Sequence, residues 1–212
     1  PLFCIKGYIE TLEDGAIYDN KVNKVFLKKM YNQAENLETL FNNLIDISKI
    51  ESKKLLVKSD VVSLNEIMSF LSETYIKKAK LKGLKLSIPD TSDLCVVGDM
   101  ELLKICFSNL VDNAIKYSFN GSVTILIKNL VDSVDVKIID NGIGIIKENH
   151  SHIFERFFRV EDSRSRELGG YGLGLAIVKH ILRGHNSDIL VDSDLGKGSI
   201  FSFQLKKTIP KS

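Results

Sequence analysis

The stretch Asn109–Ser118, NLVDNAIKYS, places Asn109, Asn113, Lys116 and Tyr117 at i, i+4, i+7 and i+8, so an α-helix presents all four along one stripe. An apolar helix is predicted around it, from about Met100 to Tyr117. An asparagine carbonyl is a hard oxygen ligand suited to Mg²⁺, which takes its remaining ligands from water and phosphate. Lysine supplies compact charge to a phosphate, and tyrosine supplies a face for a base. Taken alone, the stripe also fits a solvated helix face.

Downstream, Val123, Ile125 and Ile127 alternate with Thr124 and Leu126, and Val134, Val136 and Ile138 alternate with Asp135 and Lys137. These two runs are predicted to pair as an antiparallel hairpin. The second ends at Asp140, which opens DNGIGI with Gly142 and Gly144. A carboxylate there can accept from an exocyclic amine, and the glycines permit close backbone approach, although Asn-Gly after a strand is also an everyday turn. The segment HIFERFFRVEDSRSR gathers Phe154, Phe157 and Phe158 with Arg156, Arg159, Arg164 and Arg166. It lies in a weakly periodic stretch from Gly142 to about Tyr171, a length that in a compact domain marks a functional lid or a disordered segment. Then GGYGLGLAIVKHI sets Gly169, Gly170, Gly172 and Gly174 directly before a predicted helix, Leu173 to Arg183, whose N-terminal amides form an anion site. The lysine-serine/threonine ending of a P-loop is missing. Strands are predicted at Ile189–Val191 and Ile200–Leu205.

Upstream, Leu2, Ile5, Ile9 and Leu12 recur at helical spacing before Gly15. Phe26, Met30, Gln33, Leu37, Leu40, Leu44 and Ile47 then form a heptad seam. Two such helices cannot bury their seams alone, so the hairpin is expected to be half of a dimeric four-helix bundle. Past Lys54, Ser63-Leu-Asn-Glu66 reads as a capping box for a helix carrying Leu64, Ile67, Met68, Leu71 and Tyr75, followed by strand candidates Leu84–Ile88 and Leu94–Val97. The expected fold class is α+β: a helical hairpin over 1–54, then over 55–212 a two-layer α/β sandwich with a mixed sheet covered on one face by helices.

The 212 residues carry 29 Lys+Arg against 27 Asp+Glu, with 44% apolar residues and only 3 Cys, which excludes a disordered chain or a disulfide scaffold. A net charge of +2 gives no broad basic surface for nucleic acid. The three cysteines are scattered, as in a reducing compartment, and no run approaches the roughly 18 apolar residues of a membrane span.

The four segments, in this order, resemble the nucleotide-binding boxes of the histidine kinase branch of the ATPase superfamily that also holds gyrase, Hsp90 and MutL, with its Bergerat-type fold. The hairpin resembles the dimerisation and phosphoacceptor domain of two-component sensor kinases. The resemblance implies ATP and Mg²⁺ as cofactors, with Asn113 on the metal, Asn109 and Lys116 positioning the phosphates, and Tyr117 lining the pocket. Asp140 would read the adenine amino group, with Gly142, Gly144 and Ile145 at the wall. Phe154, Phe157 and Arg159 would belong to the ATP lid. Gly170, Gly172 and Gly174 would hinge it and present amides to the phosphates, Tyr171, Leu173 and Leu175 would bind the nucleotide with them, and Ser199 in GKGS would lie near it. The implied activity is a protein-histidine kinase that passes phosphate on to an aspartate of a response-regulator receiver domain. The implied assembly is a homodimer, in the cytoplasm, with no membrane insertion of these residues.

The sequence departs from the family pattern at Tyr171, which stands for a threonine or serine, at Asn186-Ser187 for two glycines, and at Ile146 for a proline. All four histidines, His150, His152, His180 and His185, lie outside the hairpin. The family's acceptor motif, His-Glu-x-x-x-Pro-Leu, would end on Pro1-Leu2, so the acceptor is expected just upstream of this chain. His150 and His152 are expected to be surface residues rather than a metal pair. Two rival readings are a clamp-type ATPase and an ATP-sensing adaptor. The ATPase relatives resemble one another in placing a glutamate where this chain has Asn109, and an amide cannot be a general base; Asp112 is the carboxylate nearest to that role.

Overall fold

The computed structural model describes residues 1–52, 59–92, 94–160 and 171–208, without the side chains of residues 39, 43, 46, 47 and 49–52. The expected boundary at 54/55, the Ile47 side chain, Arg164, Arg166, Gly169 and Gly170 therefore lie outside the described residues. Helix α1 (Leu2–Glu13) turns at Gly15, whose φ of +112° suits glycine, through a 3₁₀ turn at Ala16–Tyr18 into α2 (Asn20–Ser52). The Asp19 carboxylate accepts from the amides of Lys21 and Val22 at 2.8 and 3.3 Å, capping α2. Tyr8 stacks on Phe26 with ring centres 5.5 Å apart, and Leu12 is buried between the helices. Within one chain the seam is incompletely covered: Phe26, Met30, Gln33, Leu37 and Leu40 are only partly buried and Leu44 is exposed, and beside the seam Phe3, Tyr31 and Phe41 are exposed as well.

The following elements are β1 (Asp60–Ser63), α3 (Leu64–Leu81), β2 (Lys85–Ser87), β3 (Cys95–Gly98), α4 (Met100–Tyr117), β4 (Ser122–Asn129), β5 (Ser133–Asp140), α5 (Gly174–Gly184), β6 (Leu190–Asp194) and β7 (Gly198–Lys206). Five strands form one sheet in the order β2-β4-β5-β7-β6. Only β2 and β4 run parallel, so the sheet is mixed, as expected. The predicted strand near Leu94–Val97 does form, as β3, but outside this sheet, in an antiparallel ribbon with the unpredicted β1. The capping-box reading needs a second correction. Ser63 is the N-cap of α3 but its hydroxyl makes no capping bond, and the first helical amide, Leu64 N, donates to Leu94 O on the chain entering β3.

The inward-facing Val134, Val136 and Ile138 of β5 and Phe201, Phe203 and Leu205 of β7 meet α3, α4 and α5 in one core. Phe107 of α4 is fully buried and sets its ring edge on Phe203 at 5.5 Å. Burying such a side chain contributes about 2–3 kcal/mol, and it fixes which face of α4 remains for chemistry. The hairpin is not isolated from this layer, since α2 packs beside α5 and Leu40 lies against the core.

His185, buried just after α5, ties that helix to α4. Its Nδ1 donates to Ile181 O at 2.8 Å, and its Nε2 accepts from Asp99 N at 3.0 Å. Asp99 in turn caps α4 through the amides of Glu101 and Leu102. A Cβ on Gly98 would stand 2.8 Å from the ring. Burial holds the imidazole below its ordinary value, and the Asp99 charge opposes this only in part. The unfolded chain therefore takes up a proton first as pH falls below about 6.5, and stability declines from there until the folded-state ring titrates as well. Melting temperature is expected to fall between pH 7.5 and 5.5, with a smaller fall in His185→Gln; equal falls would show that this ring does not carry the dependence.

Candidate functional site

Between α4, the β5 end, the segment 143–160 and the start of α5 lies a cleft of about 260 Å³. It is lined by Asn109, Asn113, Lys116, Tyr117, Asp140, Gly144, Ile145, Arg159, Tyr171, Gly172, Leu173, Gly174, Leu175 and Ser199. Thus the described site residues expected from sequence meet here except Gly142, Phe154 and Phe157. Phe154 packs on Phe201 in the core, Phe157 points out at 62% exposure, and Phe158 faces the cleft instead. The lining also includes Asp112, Ile143, Ile146, Ile153, Val160 and Leu195. The apolar ones carried no signal in the sequence, since nothing periodic separates them from other loop residues.

The α4 stripe works because Cys106, Phe107, Leu110, Val111, Ala114 and Ile115 bury the opposite face. Asn109 Nδ2 donates to Ile105 O at 2.9 Å, which turns Oδ1 toward Gly174; a Cβ there would stand 2.7 Å from that oxygen. The pocket side of Asn109 is therefore an acceptor. Burial lowers the Lys116 ammonium from its ordinary value, and burial raises the Tyr117 phenol. The Lys116 Nζ sits 5.2 Å from the Tyr117 ring centre, within cation–π reach. Lys82, from the end of α3, fixes this last turn: its Nζ donates to Ile115 O at 2.8 Å, Lys116 O at 2.7 Å and Ser118 O at 3.3 Å. These are carbonyls a helix C-terminus leaves without intrahelical partners. Lys78 forms an ion pair with Asp112.

Asp140 ends β5 only 6% exposed. Burial pushes its carboxyl up to about 6, although Gly142 N donates to Oδ1 at 2.8 Å and a Ser199 backbone bond also favours the charge. The DNGIGI loop is pinned on two sides. Ile143 N donates to Tyr117 O at 3.2 Å, and Gly196 N donates to Ile143 O at 2.7 Å. At Gly144, φ is +68° and a Cβ would lie 1.9 Å from Asp194 O; at Gly196, φ is +80° but the space is open. Gly144→Ala is therefore expected to destabilise the chain by at least about 2 kcal/mol, and Gly196→Ala by about 1 kcal/mol, the left-handed cost alone. Urea unfolding of the two variants measures this, and equal losses would mean that Asp194 is no wall.

Gly172, at φ +68°, leaves no room for a side chain, because a Cβ would stand 2.4 Å from Phe158 O. Its own carbonyl accepts from Phe157 N at 2.9 Å. Residues 157–158 and 172 are thus tied together at the cleft mouth. His150 and His152 make no pair: His150 Nε2 lies 3.2 Å from Ile145 O, and His152 Nδ1 lies 2.8 Å from Glu155 Oε1. Among the described residues no group of three His, Cys, Asp or Glu could hold a metal ion. A hard cation here would take an oxygen of Asn113, a cleft-lining amide, together with a phosphate-bearing ligand, and the donor type fits that demand.

Residues 98–209 match the family described as "Histidine kinase-, DNA gyrase B-, and HSP90-like ATPase". The chain belongs to this ATPase family. Residues 1–53 match the "His Kinase A (phospho-acceptor) domain", and the two modules in this order are the core of a two-component sensor histidine kinase. The chain is 36% identical over 181 residues to the sensor-like histidine kinase SenX3 of Mycolicibacterium smegmatis, covering 85% of this chain and 47% of that protein. It is 32% identical over 210 residues to the sensor histidine kinase WalK of Bacillus subtilis, covering 97% and 34%. The chain thus spans half or less of the curated relatives it matches. Its fold is that of the Acinetobacter baumannii histidine kinase AdeS, with a TM-score of 0.75, 24% identity and coverage of 99% and 96%. The catalytic domain of the histidine kinase ThkA aligns at a TM-score of 0.60 and 27% identity, over 71% of this chain and 98% of that one. The sandwich is thus an ATP-binding domain of this family. No described helix is long and apolar enough to cross a membrane.

Proposed function

We propose that the parent protein phosphorylates a histidine of its own dimer from Mg·ATP and passes the phosphoryl group to an aspartate of a receiver domain. The observation that carries the kinase reading over hydrolysis is the state of the two groups best placed to activate water. Residue 109 is an amide whose nitrogen is engaged by Ile105 O, and Asp112 is held in an ion pair by Lys78. With no other carboxylate beside Asn109 and Asn113 among the described cleft residues, chemistry depends on an acceptor that is already a nucleophile, as a neutral imidazole is near pH 7.

In this reading Asn113 would hold Mg²⁺, which would supply charge screening for the phosphates, and Asn109 presents its Oδ1 as an acceptor beside it on the same stripe. Lys116 and Arg159 neutralise the phosphates, Asp140 accepts from the adenine amine, and Tyr117 and Ile145 line the ring. Gly172 and Gly174 admit the phosphates to the α5 N-terminus, with Tyr171, Leu173 and Leu175 around them. The imidazole lone pair bonds to the γ-phosphorus as the bond to the bridging oxygen breaks, and ADP leaves with that electron pair. Positioning and charge neutralisation do the work, as in phosphoryl transfer generally. No histidine occurs in residues 1–53, so the acceptor belongs to a segment preceding the hairpin. The exposed Phe3, Tyr31, Phe41 and Leu44 support dimerisation through the hairpin, beside which the receiver domain docks.

The test is transfer from γ-labelled ATP to a parent chain that includes the preceding segment, with these 212 residues as control. Acid-labile, base-stable label on the longer chain alone is expected. Phosphate release without protein label would replace this reading by an ATPase.

A further inference from the structure

Strands β5, β7 and β6 align Asp140, Ser199 and Ser193 in one cross-strand row. The next inward row is Ile138 and Phe201, so this is a polar edge on an apolar sheet face. All three side chains are buried. Asp140 and Ser199 line the cleft, whereas Ser193 does not. Ser193 Oγ stands 2.8 Å from Ile145 N, 2.7 Å from Gly198 O and 3.0 Å from Ser199 Oγ.

A hydroxyl has one proton and two lone pairs. The Ile145 amide can only donate and the Gly198 carbonyl can only accept, so Ser193 receives the first and gives its proton to the second. Its remaining lone pair faces Ser199, so the proton in the 3.0 Å contact between the hydroxyls comes from Ser199. With that proton turned back into the sheet, Ser199 shows the cleft lone pairs, beside the carboxylate of Asp140.

We infer that Ser193 is a positioning residue that locks Ser199 as a hydrogen-bond acceptor, making this end of the cleft selective for a ring with an exocyclic amine over one with a carbonyl. A freely rotating serine would tolerate either group. A locked one sets lone pair against lone pair when a carbonyl enters, leaving a buried acceptor without a donor. The inference rests on the reading of Asp140 as the adenine contact. It adds a specificity determinant from β6, outside the lining.

The experiment is equilibrium binding of ATP and inosine triphosphate, with Mg²⁺, to the native chain and to Ser193→Ala and Ser193→Thr. Inosine triphosphate replaces the 6-amine by a carbonyl, moves the donor of that edge to N1, and keeps the same phosphates. The native chain is expected to prefer ATP by at least about tenfold, since a site built to accept from a donor rejects the analogue lacking it. Ser193→Ala is expected to narrow that ratio about fivefold or more, with inosine triphosphate gaining affinity, and Ser193→Thr to restore it. Should Ser193→Ala not fold, Ser193→Cys serves, because a thiol is a poor acceptor for the Ser199 proton. Equal weakening of both nucleotides, with the ratio intact, would reduce Ser193 to a structural part and overturn the inference while leaving the Asp140 reading standing. Absence of any preference in the native chain would instead remove the Asp140 reading, and this inference with it.

Discussion

Asn113→Ala is expected to abolish Mg²⁺-dependent ATP binding and to reduce label transfer by a factor of about 10³ or more. Removing one preorganised electrostatic contact at a reacting centre costs about 10²–10³ in rate, and here ground-state metal affinity is lost as well. The side chain lies half-buried at the cleft wall while its helix neighbours Ala114 and Ile115 hold the core, so the fold should survive. Calorimetric titration with ATP in Mg²⁺ and in chelator makes the comparison. The native chain should bind far more tightly with the metal, and the variant should bind equally weakly in both. Retained metal dependence in the variant would move the metal site away from Asn113.

Asp140→Asn is expected to weaken ATP about 30-fold or more and at the same time to stabilise the fold. The first effect follows because Oδ1 is engaged by Gly142 N, so the substituted amide nitrogen would meet the adenine amine donor to donor. The second follows from burial, which raises this carboxyl from 3.8 to about 6. At about 1.4 kcal/mol per pKa unit, keeping it ionised at neutral pH costs the folded state about 3 kcal/mol. The folded state holds its proton to higher pH than the unfolded chain, so native stability declines as pH rises from about 4 to about 6 and is level above that. That slope should vanish in Asp140→Asn. It runs opposite to the contribution of His185, so comparing each variant with the native chain separates the two. ATP affinity of the native chain should fall about tenfold per pH unit below about 6, as Asp140 becomes a donor. A variant no more stable than the native chain would show that the carboxylate is better solvated than its 6% exposure implies.

Much of the site was legible because its chemistry is local in the chain. The spacing of Asn109, Asn113, Lys116 and Tyr117 is a property of one helix, and alternation in 123–127 and 134–138 is a property of two strands, so period alone placed them. Asp140 could be located because alternation ends there and two glycines follow. Other features resisted reading for an equally physical reason. Strand β1 is four residues long, too short for alternation to show, and it exists because β3 pairs with it. Ser63 and Glu66 have the composition of a capping box, but composition does not fix the Ser63 hydroxyl's orientation, and it makes no capping bond.

Phe157 and Phe158 are adjacent phenylalanines that sequence cannot rank. The backbone ranks them, by giving Phe157 a φ of +64° and a bond to Gly172 O that turns its ring outward. Asn186 stands where the resemblance has a glycine, and it adopts the left-handed φ of +54° that the turn requires, a conformation asparagine tolerates better than most residues. Ile146, in place of a proline, holds φ at −67° and ψ at 146°, the geometry proline itself would impose.

The sequence by itself determined the family, the order of the two modules, the polar stripe of α4 and the glycine positions, because each is written in residues within one or two turns or one strand of each other. Only the tertiary structure decided what those groups can do. It brought Lys78 onto Asp112, Lys82 onto the end of α4, and Ser193 behind Ser199. Such contacts join elements whose separation along the chain carries no period, so their partners are fixed by packing and register rather than by local propensity.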